Sequence, residues 1–279
     1  MAIVEMRGML EKAREGKYAV GAFNCFNIEM VQGIITAAEE KKFPLILPLA
    51  ESHIKFSDWE LISYIMKNQA AKASVPIALQ LDHAKKTETI EKAIEAGFST
   101  VMFDGYELPF EEKIHQTRDI VEIAHKHGVL VEAPLGKIGT VGKESKAKYD
   151  HDAVTDPDLV EEFTTKTGVD ILAVSVGTTH GRAAGESHLD YVRLQKICDK
   201  TNVFISLHGG SGVADDSYRR AIGIGIEKIS IFTRVSTAAV SEIINVLEDG
   251  RMRFPELLAE AKKGVTGEVE HLIDIFSNR

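Results

Sequence analysis

Three histidines in this sequence each close a short apolar run. His83 follows Ile77-Ala78-Leu79-Gln80-Leu81-Asp82, His180 follows Leu172-Ala173-Val174-Ser175-Val176-Gly177-Thr178-Thr179, and His208 follows Phe204-Ile205-Ser206-Leu207. Three neutral imidazoles converging on one mouth would make a catalytic zinc site with a coordination position open for substrate or water. Any one of them alone reads equally as a loop histidine with a local hydrogen bond, so the set carries the signal. Asp82, directly before His83, is a carboxylate placed to move a proton to or from a substrate hydroxyl. The same position also suits a cap on the following helix or a partner that orients a histidine, and spacing does not separate these roles.

His208-Gly209-Gly210-Ser211-Gly212 leads from an apolar run toward a helix. Its glycines let backbone amides approach an anion and Ser211 adds a hydroxyl, although a tight connection alone also needs glycine. Ser230 to Thr233 follow the next apolar run, and two such loops side by side suit a phosphate. His53, in the loop after the second run, is a weaker candidate for the same mouth. His115, His125, His127, His151, His188 and His271 fall on helical or irregular stretches and are given no chemistry.

Residues this far apart meet only if the fold gathers them. Candidate strands are Ala19–Phe23, Pro44–Leu49, Pro76–Leu81, Thr100–Phe103, Leu130–Ala133, Ile171–Val174, Val203–Leu207 and Lys228–Ile231. Between them, Glu29–Lys41, Thr87–Ala96, Phe110–His127, Asp158–Thr167, Tyr191–Lys200 and Ser236–Leu247 carry helical spacing. Regular β–α alternation with eight strands predicts an α/β fold, a (β/α)8 TIM barrel in which strand-end residues share one mouth. A doubly wound sheet is the alternative. Gly128 reads as a helix stop and Thr155-Asp156-Pro157 as a helix start. Gly136 to Asp152 resists assignment and reads as an exposed loop on the active face, while Phe254 to Arg279 reads as an extra C-terminal helix.

At 279 residues, 44% of them hydrophobic, the chain is long enough for one such barrel, so residues 1–279 are expected to form a single domain. A formal charge of −9 argues against a general nucleic-acid or acidic-membrane surface but leaves room for a local anion site. Cys25 and Cys198 form no CxxC pair and are too few to staple the chain. The start of the chain lacks a signal-like apolar stretch and no run is long enough to span a bilayer, so a cytoplasmic protein is expected.

The chain resembles the class II metal-dependent ketose-bisphosphate aldolases, the family of fructose-bisphosphate and tagatose-bisphosphate aldolases. The resemblance rests on Gly21-Ala22-Phe23-Asn24 through Asn27 and Glu29, Leu81-Asp82-His83, Val101-Met102-Phe103-Asp104-Gly105 and Val131-Glu132-Ala133. It continues through Leu135-Gly136, Ala173-Val174, Gly177-Thr178, His180-Gly181 and Leu207-His208-Gly209-Gly210-Ser211-Gly212. It implies zinc on His83, His180 and His208, with Asp82 shuttling the proton of the hydroxyl beside the broken bond. It also implies dihydroxyacetone phosphate gripped at Gly181, Gly209, Gly210, Ser211, Ser230 and Thr233, with Na+ or K+ assisting. The implied reaction is reversible cleavage of a ketose phosphate to dihydroxyacetone phosphate and an aldehyde through a zinc-stabilised enediolate, by a homodimer or homotetramer. Asn24, Asp104 and Glu132, inside the resembling stretches, are further site candidates.

Several positions depart from the family's pattern. Pro134 stands where a second glutamate is usual, Gln80 where a histidine is common, Tyr106 where a serine follows Asp-Gly, and Ser230 where asparagine is usual. Arg234 replaces an acidic residue, and with Arg182 it could grip a second anionic group such as a carboxylate or phosphate; an ordinary ion pair is the other reading. Glu144, in the loop that supplies an acid or base in this family, is a further candidate. These departures keep alternatives in view: a diverged aldolase for another anionic sugar phosphate, or a non-catalytic sugar-phosphate binder. A metal-dependent hydrolase would carry His-x-His on its first strand, but this chain has Phe23-Asn24-Cys25-Phe26-Asn27 there. A nicotinamide site is unsupported, since Gly223-Ile224-Gly225 lacks the third glycine of the fingerprint.

Overall fold

The computed structural model describes residues 3–136, 139–140, 154–180, 188–247 and 253–278, with the backbone alone at 139–140 and 179–180. All eight expected strands form: β1 (Val20–Phe23), β2 (Leu45–Ala50), β3 (Ile77–Ala84), β4 (Thr100–Phe103), β5 (Leu130–Leu135), β7 (Ile171–Val174), β9 (Phe204–Leu207) and β10 (Lys228–Ile231). They close into a parallel barrel in the order β1-β10-β9-β7-β5-β4-β3-β2. Two further strands of two residues each, β6 (Gly139–Thr140) and β8 (Thr179–His180), pair with one another outside the ring.

Ten helices are described: α1 (Met6–Gly16), α2 (Ile28–Lys41), α3 (Trp59–Lys72), α4 (Thr87–Glu95), α5 (Phe110–His125), α6 (Val160–Thr167), α7 (Tyr191–Cys198), α8 (Asp215–Ile224), α9 (Thr233–Leu247) and α10 (Phe254–Phe276). Local chemistry sets several of their starts. Asn27, Asp58 and Asp190 each accept a hydrogen bond from a first-turn amide, satisfying a donor that the helix itself leaves unpaired. Gly128, at φ 72°, closes the turn after α5 as the sequence predicts. The helix start expected at Thr155-Asp156-Pro157 forms, with Pro157 in the first turn. Asp156 caps a short 3-10 turn at Pro157–Leu159, whereas buried Thr155 ties the ends of β5 and β7, donating to the Leu135 carbonyl and accepting from the Ser175 amide.

α10 settles the role of the C-terminal segment by covering its own barrel. Phe276 stacks on Phe23 with ring centroids 6.4 Å apart, and its carbonyl accepts from the Ala19 amide. α9 and α10 cross so closely that a Cβ on Gly264 would stand 2.6 Å from the Ala238 carbonyl oxygen, so only glycine fits there.

α1 was not anticipated. Its apolar side, Met6, Met9, Leu10 and Ala13, packs on Val20, Ala22, Ile46, Ala78, Leu130, Ile171 and Phe204. Val20, Leu130, Ile171 and Phe204 are first residues of their strands, so α1 plugs the N-terminal end of the barrel. Arg7 bonds Asp170, and Arg14 bonds Glu227 at 2.7 Å while lying 4.6 Å over the Phe204 ring. Side chains at alternate strand positions point into the ring and grade along its axis. They run from this apolar floor through Gln80, Glu132, Ser206 and Lys228 to Asn24, Asp82, His208 and Ser230 at the C-terminal mouth.

Candidate active site

Neighbouring strand residues normally face opposite sides of a sheet, so Asp82 and His83 need a local irregularity to share a pocket. β3 supplies it. Its register against β4 slips between Leu81 and Ala84, and His83 adopts φ 51°, a left-handed conformation costing on the order of 1 kcal/mol for a residue with a Cβ. Because the strand continues through Ala84, the helix-cap reading of Asp82 is excluded. His208 lies one residue beyond β9, wholly buried, with its carbonyl held by the Thr178 hydroxyl at 2.6 Å.

These elements bring Asp82, His83 and His208 together, with one potential ligand atom from each inside a 4.8 Å span. Nδ1 of His208 and Nε2 of His83 lie 3.2 Å apart. Two nitrogens on a tetrahedral zinc, each about 2.0–2.1 Å from it, would be separated by about 3.3 Å. The outer nitrogens meet carboxylates: His208 Nε2 is 2.8 Å from Glu132 and His83 Nδ1 is 3.6 Å from Asp104. Each carboxylate favours the proton on the outer nitrogen and leaves the inner one as a lone-pair donor, an arrangement that suits a metal. The site residues therefore fit a divalent cation.

Asn24 Nδ2 donates to Asp82 Oδ2 at 2.8 Å, fixing the carboxylate, while buried Oδ1 has no hydrogen-bond partner among the described residues. Burial opposes ionisation of Asp82, but His83, His208 and Lys228 outweigh it and hold the carboxyl below its usual range. Glu132 is likewise penalised by burial yet held well below the usual range by Lys228 and His208. Burial lowers His208, against the pull of Glu132. For His83 burial acts downward, but Asp82 and Asp104 prevail and raise it.

Beneath these groups, Glu132 accepts from Gln80 at 2.5 Å and from Lys228 at 2.9 Å, and the Lys228 ammonium also reaches Ser206 and Ser230. Lys228 escaped the sequence reading. The available signal was a lysine sharing the inward parity of Ser230 in the otherwise apolar Lys228-Ile229-Ser230-Ile231. Ser230 approaches His208 Nε2 at 3.4 Å.

A pocket of about 1070 Å³ opens above, its wall including Asp82, His83, Asp104, Gly209, Ser211, Ser230 and Thr233. Ser211 Oγ accepts from the Arg234 amide at 3.2 Å, linking the glycine loop to the start of α9. Gly210 serves packing: a Cβ there would stand 2.9 Å from Ile231, and its carbonyl accepts from the Tyr218 hydroxyl. His53 also lines the pocket, its ring centroid 4.3 Å from that of Phe232 in an aromatic group with Phe26 and Phe56, and burial lowers its pKa.

Of the two readings of Arg234, the structure shows the ion pair. Its guanidinium bonds Glu268 of α10 and Asp215 of α8, away from the pocket wall. His180 takes part in β8, but its side chain lies outside the described residues, as do Gly181, Arg182 and Glu144. Among the described residues, no helix is long and apolar enough to cross a membrane.

A parallel barrel with a metal-fitting histidine and carboxylate cluster at its C-terminal mouth defines the class as a metal-dependent barrel enzyme. Residues 4–279 match the family described as fructose-bisphosphate aldolase class-II. The chain is 39% identical over 250 residues to fructose-bisphosphate aldolase of Geobacillus stearothermophilus, covering 88% of this chain and 86% of that protein. It is 35% identical to the protein YdjI of Escherichia coli, covering 99% of this chain and 98% of that protein. The crystal structure of the YdjI aldolase superimposes with a TM-score of 0.86 at 33% identity, covering 98% of this chain and 97% of that one. A putative fructose-1,6-biphosphate aldolase from Coccidioides immitis gives 0.85 at 29% identity, covering 97% and 95%. This chain belongs to the class II fructose-bisphosphate aldolase family. It is a metal-dependent aldolase, a carbon–carbon lyase.

Proposed function

We propose that the chain, as one barrel domain, reversibly cleaves a phosphorylated ketose to dihydroxyacetone phosphate and an aldehyde. The observation carrying this reading is the convergence of Asp82, His83 and His208 within 4.8 Å at the barrel mouth. His83 and His208, with His180, would hold zinc, which supplies Lewis-acid polarisation of the substrate ketone. Glu132 and Asp104 orient the two imidazoles. Asp82, steadied by Asn24, takes the hydroxyl proton beside the breaking bond and returns it in synthesis. Gly209, Ser211, Ser230 and Thr233 bind the phosphate, in the angle between β9 and β10 where barrels bind such groups, with Na+ or K+ assisting. Gly181, outside the described residues, completes the set.

A homodimer or homotetramer in the cytoplasm completes the reading. α9 supports association through a stripe of exposed apolar residues, Val240, Ile244 and Leu247, and the unpaired thiols of Cys25 and Cys198 suit a reducing compartment. The test is zinc-dependent release of dihydroxyacetone phosphate from a panel of ketose mono- and bisphosphates. His83→Ala and Asp82→Ala should each remove release, the second by about 10²–10⁴-fold. Full release by either variant would defeat the assignment, and bound zinc without release from any panel member would favour a binding role.

A further inference from the structure

The ring order places β4 diametrically across the barrel from β10 and β3 across from β9. Under the lyase reading, on which this inference rests, the phosphate sits over the loops of β9 and β10. The aldehyde half of the substrate therefore extends toward the loops of β3 and β4, where Asp82 and Tyr106 line the pocket. Tyr106 follows Asp104-Gly105 after β4. Its amide lies 3.4 Å from Asp104 Oδ1, and its ring rests against His83 at a centroid distance of 5.9 Å.

Five residues that line this pocket each hold a buried polar atom with no hydrogen-bond partner among the described residues: Asn24 Oδ1, Glu51 Oε1, His53 Nδ1, Asp82 Oδ1 and the Tyr106 hydroxyl. Buried polar atoms left unpaired are costly, and a cluster of them around one cavity points to a polar ligand that reaches them on binding. The amide and carboxylate oxygens accept, whereas the phenol, protonated at neutral pH, donates. A substrate hydroxyl at the bond to be broken needs one acceptor for its proton and one donor for its oxygen. Of the residues lining the pocket, Asp82 offers such an acceptor and Tyr106 such a donor.

We propose that Tyr106 donates a hydrogen bond to the oxygen that is the hydroxyl beside the breaking bond in cleavage and the aldehyde carbonyl in synthesis. Asp82 receives the proton of that hydroxyl as the carbon–carbon bond breaks, and the bonding pair remains on the ketone fragment. The phenol keeps its own proton throughout and stabilises the negative charge developing on the departing oxygen. The contact is confined to the aldehyde half, so chemistry on the ketone half alone does not use it.

Two reactions of the zinc-loaded enzyme separate the halves. One is exchange of deuterium from heavy water into dihydroxyacetone phosphate, which needs no aldehyde. The other is condensation of dihydroxyacetone phosphate with glyceraldehyde or with propanal. Tyr106→Phe, which keeps the ring, is expected to retain wild-type exchange while condensation with both aldehydes falls about 10- to 100-fold in kcat/KM. An equal fall in exchange and condensation would reduce Tyr106 to a packing residue and overturn the proposal. So would unchanged condensation, or a loss with glyceraldehyde alone, which would move the contact to another hydroxyl. A wild-type enzyme giving neither reaction would overturn the lyase reading itself, an outcome distinct from these.

Discussion

Glu132 and Lys228 meet inside the barrel, carboxylate to ammonium at 2.9 Å, with no surface of either side chain exposed. A buried pair of this kind costs desolvation on both sides, and removing one partner leaves the other charge unanswered. Lys228→Met should therefore destabilise the fold by about 3–5 kcal/mol, read as a lowered denaturation midpoint. A midpoint equal to wild type would mean that the pair contributes nothing.

Glu132 also holds the outer nitrogen of His208 at 2.8 Å. Glu132→Gln keeps the shape but weakens that hold, so zinc affinity should fall about 10–100-fold in competition with a chelator. Unaltered affinity would detach Glu132 from the metal site.

Arg234 is bound to Asp215 and Glu268, so its loss should act on stability and leave substrate choice alone. Arg234→Ala is expected to cost about 1–3 kcal/mol in unfolding free energy while the ranking of anionic substrates stays fixed. A changed ranking at wild-type stability would return the guanidinium to the pocket.

Burial pushes the Cys25 and Cys198 thiols up to about 12 from an ordinary value of 9.0. Both thiols should resist a disulfide reagent at pH 8, where roughly one in 10⁴ is thiolate, and react once the chain unfolds. The linkage has a definite sign. Between pH 9.0 and about 12 the unfolded chain releases protons that the folded chain retains, so stability falls as pH rises. Replacing both with alanine should flatten that alkaline slope, by about 1 kcal/mol per pH unit for each thiol. A slope unchanged in the double variant would refute the assignment.

The barrel was legible because each strand is a short apolar run whose ends fall at polar or glycine-bearing junctions, and because β–α alternation leaves few topologies. Asp82, His83 and His208 were legible because they stand at those junctions. Lys228 was not, since its partner Glu132 lies 96 positions away and no local rule pairs them. Arg234 stayed open between a ligand contact and an ion pair for the same reason, as Asp215 and Glu268 reach it from other helices. α1 carries helical spacing at Met6, Met9, Leu10 and Ala13, but a narrow stripe among charged residues does not say what it will cover. The bulge that turns His83 inward beside Asp82 is a backbone event with no composition signal.

Because Gln80, Glu132, Ser206 and Lys228 fill the ring beneath the site and α1 covers its lower end, the pocket opens at the C-terminal mouth alone among the described residues. Whatever reaches Asp82 must come and go through that mouth, so a substrate and both molecules made from it share one path to solvent, and a change to the rim acts on entry and on departure alike.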